Sequence, residues 1–380
     1  MQTQPTNWTV TLFFSLLHLL TLAGLLLLWH HQSTPLATWL LAGAMYVVSG
    51  LSITVGYHRL FAHKSFKARP IIRGLLAVFG CCNFQGSVFE WCADHRLHHR
   101  HTDKDKDPYN IKLGFWHAHF KWLMTLVPDR HCYAEAVPDL HADPILRWQH
   151  KHSGILMAVM GFFFPMLIAT FWGDPWGGLL IAGGLRLILN LHSTWAINSV
   201  CHLFGKSHYI DQSARDHWIT ALFTFGEGFH NFHHKFPLDY RNGIRWFHFD
   251  PSKWLIFLLS RAKLASDLKR MPTSTILRYK VMYSSQAFHD RNQRHPLSQR
   301  IANTIQTRLQ LMTTLTEQIT EFENTLTELQ KALSQHPQCK QTRRQIRLFK
   351  LRIRKAYRQI RTLLKHGNAI LNTPAQDACL

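Results

Sequence analysis

The chain is predicted to be an all-α integral membrane protein. Four transmembrane helices carry a cytoplasmic helical cap with a histidine-ligated dimetal site, and a C-terminal helical hairpin or coiled coil follows. Three observations predict this. Apolar residues are massed before residue 200 in runs of about 20, the length that one bilayer crossing needs. Twenty-seven histidines among 380 residues are far more than a core requires, and many cluster just beyond those runs. Beyond about residue 300 the chain is polar and basic, with apolar residues at three- and four-residue steps. The balance of 43 basic against 22 acidic residues, a net charge of +21, excludes a disordered acidic chain. Seven cysteines without a CxxC pair exclude a disulfide scaffold and suit free thiols facing a reducing compartment.

The spans come first. Residues 8–29, 35–56, 154–172 and 176–199 are each long and poor in charge. The first is not a cleaved signal, because no basic stretch precedes it and no small-x-small site closes it. Arg186 in the fourth must snorkel or face protein, since charge at mid-bilayer is costly. A further apolar stretch, 71–91, is broken by Arg73, Gln85 and Glu90 and reads as a helix lying against the membrane or re-entering it. The links at 30–34 and 173–175 contain no Lys or Arg, whereas 59–151 and the chain from 206 onward carry many. The positive-inside bias then places both termini and both large loops in the cytoplasm. A bacterial inner membrane is the preferred setting, with the endoplasmic reticulum as the alternative.

Histidines gather where the spans meet the cytoplasm. The second span runs into His58-Arg-Leu-Phe-Ala-His63; the next loop holds His95-Arg-Leu-His98-His99; after the fourth span come Asn198-Ser-Val-Cys-His202 and His230-Asn-Phe-His233-His234. On a helix, positions i, i+3 and i+4 share one face, so each HxxHH presents three imidazoles together. The i+3 and i+4 rings diverge by about 100°, so one helix can serve two adjacent metals. The i, i+5 spacing of His58 and His63 shares no α-helical face, which predicts an end or bend there. Neutral imidazole suits iron, zinc, copper and nickel alike. Isolated histidines such as His18, His117, His119 and His150 read as ordinary core or solvated side chains.

These boxes, with the intervening EWCADHR, DKDPY and GEGFHNFHHKFP, closely resemble the membrane-bound fatty acyl desaturases, nearest to the Δ9 stearoyl-CoA type, over roughly residues 45–270. The resemblance implies a nine-histidine diiron centre, with O2 as co-substrate and nine catalytic histidines. One iron would take His58, His63, His95, His99 and His233; the other would take His98, His202, His230 and His234, with Asn198 approaching through a water. Asp94, Asp103, Glu90 and Glu227 are candidates to hold the ligand rings. The resemblance places Gln85, Trp91, Asp94, Thr194 and Trp195 along a bent acyl tunnel, and Tyr46 would close its end and set chain length. The implied reaction turns a methylene pair into a cis alkene, using O2, two electrons and two protons. Arg59, Lys64, Lys67, Arg69, Arg96 and Arg100 suit the phosphates of an acyl-CoA. Gly86 and Ala93 stand where the animal acyl-CoA enzymes have Asn and Arg, so lipid-bound or carrier-protein-bound chains stay open. A related membrane hydroxylase is the alternative enzyme, and a histidine-rich metal transporter or sensor is the alternative outside enzymes.

The last part carries a heptad seam from Ile301 to Leu333, broken at His336-Pro337 and resumed from Ile346 to Leu364. The expected organisation is a membrane desaturase domain at 1–270, a linker at 271–298, a hairpin or coiled coil at 299–368 and a flexible tail at 369–380. The second hairpin helix holds eleven basic residues from Lys340 to Lys365 and no acidic one, which suits anionic membrane lipids or an acidic electron donor. Nucleic acid is not an expected partner. No HPGG haem motif occurs, so electrons would come from a separate ferredoxin- or cytochrome b5-like donor with its reductase.

Overall fold

The computed structural model describes residues 5–31, 34–126, 136–336 and 338–371. The chain forms two compact units, Met1–Ser207 with Gln212–Arg270, and His208–Asp211 with Met271–Leu380. In the first unit four helices are long and apolar enough to cross a membrane: Trp8–His30, Leu36–Ala62, Ser153–Trp172 and Pro175–Leu203. Many of their leucines stay exposed, as Leu19, Leu20 and Leu27 do on the first, because lipid rather than protein is their solvent. The protein is therefore a membrane protein.

The elements used below are α1 (Trp8–His31), α2 (Leu36–Leu51), α3 (Pro70–Gly80), α4 (Val88–His101), α5 (Phe115–His119), α6 (Arg186–Leu203), α7 (His230–Lys235) and α8 (Pro251–Arg261). The second span does not stop near residue 56. It continues from α2 as a π-helix, Ser52–Ala62, which carries His58. The stretch 71–91 is not one helix. It is α3 and α4, bent by 81° across a tight turn, where Phe84 adopts a left-handed backbone. Arg186 faces protein: it is 1% exposed and donates to the carbonyls of Ala182, Cys82 and Gly161 at 3.0, 2.8 and 2.9 Å. Those acceptors lie at or beside wide or broken turns, where backbone bonding is locally disturbed. The third and fourth spans touch backbone to backbone, since a Cβ on Gly178 would lie 2.6 Å from the Pro165 carbonyl oxygen.

Helices α3, α4 and α8 pack with the end of the second span on a core that includes Val55, Tyr57, Phe61, Leu76, Phe89 and Ile256. Two short strands, β1 (Lys67–Ala68) and β2 (Ala265–Ser266), pair antiparallel and tie the start of this cap to its end.

In the second unit the stretch expected to be a linker, 271–298, contains a 22-residue helix, α9 (Thr273–Arg294). It joins α10 (Gln299–Gln335) and α11 (Lys340–Leu371) around Leu277, Val281, Leu309, Ile319 and Ile353, so the hairpin is completed as a three-helix bundle. Polar and charged residues dominate the second half of this helix, so its sequence resembles a linker. Pro337, residues 372–380 of the expected tail and residues 32–33 of the link at 30–34 lie outside the described residues.

Candidate metal centre

The i, i+5 spacing of His58 and His63 is resolved by the backbone itself. In a π-helix the hydrogen bonds run i→i+5, which stacks the fifth residue over the first. The His63 N–H donates to the His58 carbonyl at 3.0 Å, and the two rings come to 4.8 Å between centroids. The helix was expected to bend here; a wider helix places both rings on one face instead.

Two sets of imidazoles converge, His58, His63, His95, His99 and His233 in one, and His98, His202, His230 and His234 in the other, each with ligand nitrogens within 4.8 Å of one another. Helix α4 supplies both sets, and so does α7, because adjacent residues on a helix point about 100° apart. Eight of the nine are buried, with His99 half-buried. Neighbouring Nε2 atoms are 2.9 Å apart for His58–His233 and His99–His233, 2.8 Å for His63–His95, 3.0 Å for His202–His230 and His230–His234, and 3.3 Å for His98–His234. Nitrogens at about 2.1 Å from an ion lie about 3.0 Å apart when cis at a right angle and about 3.4 Å apart in a tetrahedron. Most of these spacings match the right angle, so both sets fit a five- or six-coordinate ion better than a tetrahedral one. Burial first, then neighbouring imidazoles, push His63, His230, His233 and His234 well below the ordinary histidine range. They are neutral at physiological pH, the form that a metal needs.

The rings are aimed from behind. His58 Nδ1 lies 2.9 Å from Glu227, which Arg59 also grips at 3.0 Å while reaching Asp250 at 3.0 Å. Burial alone would raise the Glu227 carboxyl, but His58 and Arg59 outweigh it and hold it below the usual range. His98 Nδ1 lies 2.8 Å from Asp107. His202 Nδ1 lies 2.6 Å from the Ser213 hydroxyl, which donates in turn to Asp103. Of the four acids expected here, Glu227 and Asp103 thus support ligand rings, directly and through a serine. Glu90 does not: it closes a capping box with Ser87 at the start of α4. Asp94 is buried and lines a cavity. Asp107 is not legible from DKDPY, because nothing local says which of its acids turns inward, and Ser213 carries no sequence signal.

That cavity, about 610 Å³ and largely apolar, runs beside the histidines and is lined by His58, His95 and His230. Gln85, Trp91, Asp94, Thr194, Trp195 and Asn198 all line it. Gln85 joins its walls, donating to Thr194 at 3.0 Å and accepting from the Trp91 indole at 2.9 Å. Tyr46 is not part of the lining. Its hydroxyl meets Ser193 at 2.9 Å and the Phe223 carbonyl at 2.8 Å, and its ring lies 5.7 Å from Phe225; those three residues do line the cavity.

Comparison with known proteins agrees with this geometry. The fatty acid desaturase family model matches residues 33–257. The chain is 46% identical over 248 residues to the probable acyl-CoA desaturase of Schizosaccharomyces pombe, covering 64% of this chain and 52% of that one. It is 43% identical over 233 residues to acyl-CoA desaturase 1 of Saccharomyces cerevisiae, covering 61% and 46%, and 37% identical over 274 residues to stearoyl-CoA desaturase 5 of Bos taurus, covering 70% and 81%. The chain therefore spans about half the length of the two yeast relatives. With its histidine sets converged beside an apolar cavity and the match extending over more than half its length, the chain belongs to the fatty acid desaturase family.

Proposed function

We propose that this protein is an O2-dependent acyl-CoA desaturase that places a cis double bond at the Δ9 position. The observation that carries the proposal is the pair of converged imidazole sets with metal-like spacing beside an apolar cavity. His58, His63, His95, His99 and His233 would hold one iron, and His98, His202, His230 and His234 the other, with Asn198 close by. Iron suits the donor set because imidazole ligands at right-angle spacing match its higher coordination numbers better than tetrahedral zinc. Two irons would supply the oxidising power by activating O2 with electrons delivered one at a time, converting –CH2–CH2– plus O2, two electrons and two protons into –CH=CH– and two waters.

The protein's own residues solve the positioning problem, since adjacent methylenes are chemically alike. Gln85, bonded to Thr194 and Trp91, fixes the wall that sets the bend of the chain. The apolar lining excludes water, and Glu227 and Asp107 lock the ring orientations of His58 and His98. Acyl-CoA is preferred as substrate because the yeast and mammalian relatives carry that name. The electrons would come from a separate ferredoxin- or cytochrome b5-like protein with its reductase. The active site and both termini would face the cytoplasm, as loop charge suggests. The three relatives above come from two yeasts and a mammal, which weighs against the bacterial setting.

The test is expression in cells lacking their own desaturase, with double bonds located by mass spectrometry. Purified protein with iron, donor and reductase is then offered acyl-CoA and phospholipid. A Δ9 alkene from acyl-CoA is expected. An alcohol would transfer the site to hydroxylation, product from phospholipid alone would overturn the acyl-CoA assignment, and metal flux in vesicles without acyl oxidation would overturn the enzyme reading.

A further inference from the structure

The second unit follows the membrane unit directly in the chain, at Arg270–Met271, and its charge is unevenly placed. In its last helix, α11, nine Lys and Arg residues lie between Lys340 and Arg358 with no Asp or Glu among them, and all nine are exposed. Glu317, Glu321 and Glu328 are exposed on α10 instead. The metal centre and the cavity use none of these residues.

The cations of α11 are arranged as a face. Successive residues of a helix turn by about 100°. Arg344, Arg347, Leu348, Leu351, Lys355 and Arg358 therefore fall in one stripe about 100° wide and about 21 Å long. That stripe lies opposite Ile346, Ile353, Ala356 and Ile360, which are buried. Leu348 and Leu351 are 49% and 58% exposed in its middle. A lone exposed leucine needs no explanation. Two on neighbouring turns, flanked along the stripe by four cations, give α11 a second amphipathic surface besides the one it buries.

We propose that this outer face of α11 seats the second unit on an anionic lipid surface. The cations meet headgroup phosphates, and the two leucines enter the boundary between headgroups and acyl chains. Basic residues around an apolar strip are what such a boundary takes up, because it offers negative charge and apolar volume within one layer. Nucleic acid would pair with the cations and leave both leucines in water. An acidic protein would have to be recruited from solution.

A bilayer needs no recruitment. The four spans of the first unit hold it, and the two units are one chain, so the lipid surface acts on α11 as a tethered partner at high effective concentration. The inference rests on that membrane anchorage and not on the chemistry of the metal centre.

Photo-crosslinking of the full-length protein tests it. The photoreactive residue p-benzoylphenylalanine is placed at Leu351, or at Glu321 on α10 as the reference. Each protein is reconstituted in vesicles of phosphatidylcholine alone or enriched in phosphatidylglycerol, and lipid adducts are counted by mass spectrometry after irradiation. Leu351 should give lipid adducts at least about fivefold more often in the anionic vesicles. Salt at about 1 M, which screens charges beyond about 3 Å, should erase that preference. Changing Arg344, Arg347, Lys355 and Arg358 together to glutamine should erase it too; the salt arm uses the unaltered face, so it does not depend on how that variant folds. Equal yields in the two vesicles, a preference that survives salt, or adducts at Glu321 as frequent as at Leu351 would overturn the proposal, as would no lipid adduct at Leu351. Capture of added ferredoxin at Leu351 in place of lipid would give the face to an acidic protein and overturn it as well. None of these readouts needs turnover, so a protein that gives the lipid adducts but forms no alkene refutes the desaturase reading alone.

Discussion

Replacing Asp107 with asparagine should unload one histidine set and spare the other. Asp107 Oδ1 meets His98 Nδ1 at 2.8 Å and accepts the Tyr109 N–H at 3.0 Å, while Oδ2 accepts the Asp103 N–H at 3.1 Å. Asparagine keeps the shape and can keep the first two contacts through its carbonyl. Its amide then faces the Asp103 N–H, two donors against each other. The unpaired donor costs about 1–3 kcal/mol of stability. The bond to His98 loses its ionic component, roughly half its strength. Loss of such an outer partner typically weakens a metal site about 10–100-fold, or about 1.4–2.7 kcal/mol. His98 belongs to the set with His202, His230 and His234, and among the described residues the Asp107 carboxylate bonds to His98 and to the Tyr109 and Asp103 N–H groups, so the perturbation falls on that set. Iron per chain, measured at increasing free iron, should therefore fall from two plateaus that nearly coincide to two that are separated. Equal loss from both sites, or none at all, would refute the assignment of Asp107 to one set.

Ser87→Ala should cost about 1 kcal/mol of stability through the lost cap of α4, with metal content unchanged; loss of metal would show that Glu90 is more than a capping partner. Tyr46→Ala should let longer acyl chains in, and an unchanged product-length distribution in whole-cell lipids would end the idea that Tyr46 stops the tunnel. Burial would raise the Asp139 carboxyl, but hydrogen bonds from Arg96 and Lys64 prevail and take it to about 2, against 3.8 ordinarily. A lowered folded value means that stability is present above the ordinary value and lost as pH falls through the folded one. Asp139→Asn should thus melt earlier than the parent at pH 6, and the difference should shrink between pH 3.8 and about 2; a constant difference would refute the linkage.

Local pattern carries much of this protein. Each span is a run of apolar residues, and each HxxHH is a helical face, so both are readable without any long-range contact. The way that α4 and α7 divide their histidines between two sets follows from the same periodicity, since neighbouring residues cannot point one way. Other features needed the folded chain. The π-helix at Ser52–Ala62 depends on how the helix packs, and α-helical periodicity gave no reason for His58 and His63 to meet. The choice of Asp107 over its acidic neighbours depends on which carboxylate the turn directs inward. His18, His119 and His192 look like unrelated single residues, yet their rings meet in the folded chain, and the His18–His192 contact spans 174 positions. Hydrogen bonds between residues so far apart leave no periodic trace; they exist because two spans and a short helix pack together, and packing is set by the whole chain.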